Sequence, residues 1–197
     1  IKRGINIIQR HNGVLIADVV GLGKSIISSA IAHNLNLKTI VICPPHLEES
    51  WDDYRVEFNF NAKIFTVGKI VDALNFSKNN SIELIIVDEV HKFRNDDTES
   101  YQNLFNLCQG KKVILLSATP FNNTPKDTFN LIKLFQIPTK STIQTVNNLS
   151  ETFVDLSKRW NKVRKIQREQ SIEAPNIKEE LIDISKQIKN ILHPVTI

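Results

Sequence analysis

The sequence predicts an α/β protein: an open parallel β-sheet flanked by helices, followed by a helical hairpin. Three observations carry this expectation. Short, nearly continuous apolar runs rich in Val and Ile alternate with helical patterns over the first two thirds of the chain, and strands apolar on both faces belong in a sheet covered by helices on each side. The strand and helix candidates take turns, as βαβ crossovers require. After Pro138 the apolar runs stop, and only helical periodicity remains.

In chain order, strands are expected over 13–17 (Gly-Val-Leu-Ile-Ala), 39–43 (Thr-Ile-Val-Ile-Cys), 63–67, 84–87 (Leu-Ile-Ile-Val) and 113–116. Helices are expected between them over 25–35, 45–58, 69–76, 100–108 and 126–135. In the tail, Leu149, Phe153, Leu156, Trp160, Val163 and Ile166 recur at helical spacing within 148–170, and Leu181, Ile184, Ile188 and Ile191 share one face of 177–192. Ala174-Pro175-Asn176 is read as the break between the two helices. The organisation is therefore a sheet domain over 1–140 and a helical protrusion over 141–197.

Composition bounds the rest. Of 197 residues, 41% are hydrophobic and 23% charged, which fits one globular core. No apolar stretch reaches the roughly 18 residues of a membrane span, and Ile1-Lys2-Arg3-Gly4-Ile5 lacks a signal-peptide layout. The chain contains no Met, which points to a segment of a longer protein. Cys43 and Cys108 lie far apart, match no metal-ligand spacing and sit beside apolar residues; they are expected as free buried thiols in a reducing, cytoplasmic setting. A net charge of +4 permits an anionic partner.

The sharpest chemical signal is Ala17-Asp18-Val19-Val20-Gly21-Leu22-Gly23-Lys24-Ser25, placed between a strand and a helix. Gly21 and Gly23 let the backbone turn tightly and bring its N–H groups against a polyphosphate. The helix start adds unpaired donors and a favourable dipole. Lys24 supplies a positive charge for the β- and γ-phosphates, and the Ser25 hydroxyl suits magnesium. The spacing departs from G-x-x-x-x-G-K-[ST], because Asp18 stands where the first glycine would be. A second signal is the strand 84–87 running straight into Asp88-Glu89-Val90-His91. Here Asp88 suits a magnesium ligand, and Glu89 suits a base that orients and deprotonates attacking water.

Taken in order, Gly-Leu-Gly-Lys-Ser, Asp-Glu-Val-His and Ser117-Ala118-Thr119-Pro120 resemble motifs I, II and III of superfamily-two helicases, most closely the Swi/Snf-type translocases. Cys43-Pro44-Pro45-His46-Leu47 followed by Trp51 is similar to their motif Ia, and Thr119-Pro120-Phe121-Asn122-Asn123 to the end of motif III. Leu192-His193-Pro194-Val195-Thr196-Ile197 resembles the segment leading to the second motor lobe, and 4–8 a helix that follows the adenine-reading glutamine in such enzymes. Val19 departs from the acid usual in motif I.

The resemblance implies a RecA-like P-loop NTPase lobe that binds ATP and Mg2+ and hydrolyses ATP in a cleft shared with a second RecA-like lobe of the same full-length chain. It implies Gly21, Leu22, Gly23, Lys24, Ser25 and Ile26 as the nucleotide cradle, and Ser25 and Asp88 as the metal residues. Lys24, Asp88, Glu89 and His91 become the catalytic set, with Ser117 and Thr119 coupling that set to nucleic acid through His91. The implied partner is duplex DNA; the alternative is a strand-separating or restriction-type motor acting on DNA or RNA. Without the transition-state arginines of the second lobe, these residues alone are expected to bind ATP weakly and turn it over slowly. The run from Lys158 to Arg168 holds six positive charges and no acid, and reads either as a solvated helix face or as a surface that tracks DNA.

Overall fold

The computed structural model describes residues 1–17, 23–118, 124–169 and 175–197. Helix α1 (Lys2–His11) precedes strand β1 (Gly13–Ala17), and the alternation then runs α2 (Lys24–Leu35), β2 (Thr39–Cys43), α3 (Glu48–Glu57), β3 (Ala62–Thr66), α4 (Ile70–Lys78), β4 (Leu84–Val87), α5 (Glu99–Cys108) and β5 (Lys112–Ser117). Helices α6 (Pro125–Lys133), α7 (Leu149–Glu169) and α8 (Pro175–Leu192) follow. Every expected element within the described residues is present, with ends moved by at most three residues, as fraying ends allow.

The five strands form one parallel sheet in the order β1-β5-β4-β2-β3. The chain steps outward from β1 to β2 and β3, then returns to lay β4 and β5 in the gap. With right-handed crossovers, this reversal puts α2 and α3 on one face and α4 and α5 on the other; α2 packs on α3 and α4 on α5 accordingly. Residues of β1, β2, β4 and β5 are almost wholly buried, whereas β3, at the edge, is partly exposed over its first three residues and buried over its last two. The reversal leaves the C-terminal ends of β1, β5 and β4 side by side, the position where open α/β sheets bind ligands.

The two tail helices are separate, as expected, with Pro175 opening α8, where a missing N–H costs nothing and the fixed φ already suits a helix. One expectation needs correction. Strand pairing does not end after Pro138: Thr196 bridges to Leu15 in parallel, the Ala17 N–H donates to Ile197 O at 2.8 Å and the Ile197 N–H donates to Leu15 O at 3.0 Å. The last residues therefore return to the sheet and cover the open edge of β1, which would otherwise leave buried peptide groups unpaired.

The hairpin is amphipathic as its spacing predicts. Leu149, Phe153, Leu156 and Val163 of α7 and Ile184, Ile188 and Ile191 of α8 are buried. Phe153 stacks on Phe129 of α6, centroids 5.0 Å apart. Arg159 donates to Glu180 and Asp183 of α8, each at 2.7 Å. Gly13 is needed for a different reason: the Phe135 ring fills the space a Cβ would take. Cys43 and Cys108 are buried free thiols, both pushed up to about 12 by burial. No helix among the described residues is long and apolar enough to cross a membrane.

Candidate functional site

The ends of β1, β5 and β4 bring together residues separated by almost a hundred positions. Lys24 and Ser25 open α2, whose N-cap Gly23 takes a left-handed φ of 78°, a conformation that glycine reaches without steric penalty. Among the described residues no side chain caps this helix and no acid occupies its first turn, which leaves its first N–H groups for another acceptor. Ser28 and Ser29, both fully buried, donate their hydroxyls to Ser25 O at 2.8 Å and brace that turn from below. Ile26 is exposed in the same turn.

Strand β4 delivers Asp88, which is 5% exposed. The Ser25 hydroxyl lies 3.5 Å from Asp88 Oδ2, a long contact with room to open, and the Lys24 charge acts on the same carboxylate. Two stronger donors fix its orientation: Trp51 Nε1 donates to Oδ2 at 3.0 Å, and the Glu89 N–H to Oδ1 at 2.8 Å. Burial pushes the Asp88 carboxyl above the ordinary carboxylate range; the Trp51 and Glu89 N–H groups pull it back, the Glu89 charge adds to the rise, and Lys24 opposes it. A carboxylate held in place yet short of solvation is a ready partner for a cation.

Glu89 sits in the left-handed region at φ 50°, ψ 45° and heads the 3-10 turn Val90–Phe93. A non-glycine residue there stores strain that the surroundings must hold, and such residues gather at functional sites. Glu89 Oε2 is 3.5 Å from Lys92 Nζ and 3.9 Å from His91 Nε2. His91 Nδ1 is buried without a hydrogen-bond partner among the described residues. Ser117 is buried at the end of β5, in register with Ala17. Gly21, Leu22 and Thr119, like Asp18, Val19 and 120–123, lie outside the described residues.

This arrangement brings together an ammonium, a hydroxyl, a helix start and two carboxylates. No group of three or more His, Cys, Asp or Glu side chains suited to a metal occurs among the described residues. The donor set fits magnesium, which typically takes one or two protein oxygens and fills its octahedron with water and phosphate. Motif spacing did not reveal Trp51 as the anchor of Asp88, since the two are 37 positions apart. Nor did it reveal Asn130 of α6, which is 1% exposed and donates its Nδ2 to Arg94 O at 2.9 Å while its backbone carbonyl accepts from the Tyr101 hydroxyl at 2.8 Å. Through that side chain and the pairs of Asp96 with Lys126 and Lys133, α6 is fastened to the segment that follows Glu89.

Residues 53–193, which include Asp88, Glu89 and Ser117, match the SNF2-related domain. The chain belongs to the SNF2-related family. Among relatives in this family, it is 28% identical over 153 residues to the uncharacterized ATP-dependent helicase YqhH of Bacillus subtilis (strain 168), covering 66% of this chain and 27% of that protein. It is 24% identical over 155 residues to the human DNA repair and recombination protein RAD54B, covering 61% of this chain and 17% of that one. The SNF2-related fold is shared with the Sulfolobus solfataricus SWI2/SNF2 ATPase core, solved in complex with dsDNA: the TM-score is 0.63 at 18% identity, over 99% of this chain and 41% of that one. The chain thus spans about a quarter of the Bacillus relative.

Proposed function

We propose that this chain is the ATP-binding lobe of an SNF2-type motor that couples ATP hydrolysis to movement along duplex DNA. The observation that carries the reading is the convergence of Lys24 and Ser25 on the buried Asp88, with the strained Glu89 beside it. In this reading the start of α2 and Lys24 bind the phosphates, while Ser25 and Asp88 hold magnesium. Bound there, magnesium would neutralise phosphate charge and polarise the bond that breaks. Glu89 orients a water molecule and accepts its proton, and Trp51 keeps the neighbouring Asp88 in one rotamer. Ser117, at the end of the strand between β1 and β4, relays the state of the site toward Thr119 and the nucleic acid, with His91 as the intermediary.

Such catalysis is mostly positioning and electrostatics. Arginines contributed by a second RecA-like lobe in the same full-length chain would complete the set, a contribution of about 10³–10⁵ in turnover. The relative solved with dsDNA and the DNA repair relative support DNA as the track. The test is phosphate release by the full-length protein with no nucleic acid, duplex DNA, single-stranded DNA or RNA. The reading predicts the largest stimulation by duplex. Stimulation by single strands alone would favour a strand-separating motor, and an unstimulated, Lys24-independent rate would overturn the proposal.

A further inference from the structure

Helix α7 holds a second concentration of charge that the nucleotide site does not use. Of the six basic residues between Lys158 and Arg168, Arg159 is turned toward α8 and neutralised by Glu180 and Asp183. Arg164, Lys165 and Arg168 are exposed, and with Trp160, Asn161 and Thr124 they line a cleft where α7 passes the start of α6. Positions 160, 164 and 168 form one stripe of the helix and 161 and 165 the next. Among the described residues no carboxylate lines the cleft, and Arg164 and Arg168 stand four positions apart, a spacing at which like charges weaken a helix.

We propose that this cleft grips the phosphate backbone of the nucleic acid on which the motor moves; the inference rests on the function proposed above. The Arg164 guanidinium lies 5.3 Å from the centroid of the Trp160 ring and donates to Gln167 Oε1 at 2.9 Å. Stacking and hydrogen bonding fix the plane of a fork-shaped donor suited to phosphate. They also cover one face of the indole, so the cleft contacts backbone rather than stacking bases, and such contacts position a strand without reading its sequence. The stripe from Trp160 to Arg168 is about 12 Å long, room for roughly three phosphates along one strand. Among the described lining residues Trp160 is the one apolar side chain, which gives a peptide little to anchor on and favours nucleic acid over an acidic protein segment. The cleft also adjoins Thr124, the N-cap of α6, and α6 is the helix that Asn130, Lys126 and Lys133 fasten behind Glu89.

The experiment is binding of a fluorescent duplex of mixed sequence to the full-length protein over a series of salt concentrations. Wild type is compared with the triple variant Arg164→Ala, Lys165→Ala, Arg168→Ala. A second variant, Lys158→Ala, Lys162→Ala, removes exposed charge from the same helix outside the cleft. Losing three phosphate contacts should reduce the slope of log K against log salt by up to about 2.7 and weaken binding about tenfold or more near physiological salt. The second variant should change the slope much less. Equal effects of the two variants, or no effect of the first, would overturn the cleft while leaving the motor reading intact. Wild type that binds neither duplex nor single strands would remove both. Competition by poly-glutamate as effective as that by unlabelled duplex would reassign the cleft to an acidic protein partner and overturn the proposal.

Discussion

Replacing Trp51 with phenylalanine tests whether the indole N–H is what holds Asp88. Trp51 is 1% exposed and its Nε1 lies 3.0 Å from Oδ2 of a carboxylate that is itself 5% exposed. Phenylalanine keeps an aromatic ring in the core but removes the donor. Loss of a hydrogen bond to a charged, buried acceptor is worth about 1.5–3 kcal/mol, and the void left by the smaller ring adds about 1 kcal/mol. The variant should therefore lose about 2.5–4 kcal/mol in urea unfolding followed by circular dichroism, a large share of a typical domain stability. The second effect is specific to the site. With only the Glu89 N–H left as a strong anchor, Oδ2 is free to rotate away from Ser25, and the magnesium dependence of ATP binding should weaken by about 10–100-fold, as when second-shell partners of a metal are removed. A loss below about 0.5 kcal/mol together with an unchanged magnesium titration would refute the claim that Trp51 positions this carboxylate.

Three further outcomes follow from the same structure. Glu89→Gln keeps shape and hydrogen-bonding capacity but not basicity, so ATP binding should persist while single-turnover hydrolysis falls about 10²–10⁴-fold; equal loss of both would deny Glu89 its role as a base. Gly13→Ala forces a methyl group into the Phe135 ring and should destabilise the lobe by about 1–3 kcal/mol, read as a lower urea midpoint. Asp96 supplies a pH test: burial alone would raise its carboxyl, but the bonds and charges of Lys126 and Lys133 outweigh that and hold it below the usual range. A carboxyl depressed in the folded state stabilises above its unfolded value and loses that contribution as pH falls through the folded one. The stability gap between wild type and Asp96→Asn should thus be full at neutral pH and fade below about pH 4; a gap independent of pH would contradict the pairing.

What the sequence made legible was whatever depends on near neighbours. Strands such as Thr39–Cys43 and Leu84–Val87 declare themselves because an apolar run that short has few other uses. The helical hairpin follows from the spacing of Leu149, Phe153, Leu156 and Val163, whose burial matches. Lys24, Asp88 and Glu89 were legible because their chemistry requires a strand end on one side and a helix or turn on the other. Strand order was not, since nothing local in Lys112–Ser117 says that it inserts between β1 and β4. The return of Thr196 and Ile197 to β1 closes a loop of about 180 residues, and periodicity carries no trace of it. Trp51 was legible only as part of the motif Ia resemblance; its hydrogen bond to Asp88 depends on how α3 lies across the sheet and not on spacing.

The most direct measurement is calorimetric titration of this chain with ATP, with and without magnesium, for wild type and for Lys24→Ala and Asp88→Ala. If the start of α2 and the end of β4 form one metal–triphosphate site, wild type binds only with magnesium present at full strength, Lys24→Ala loses binding, and Asp88→Ala loses the magnesium dependence. Unchanged affinity in Lys24→Ala, with magnesium still required, would contradict the account.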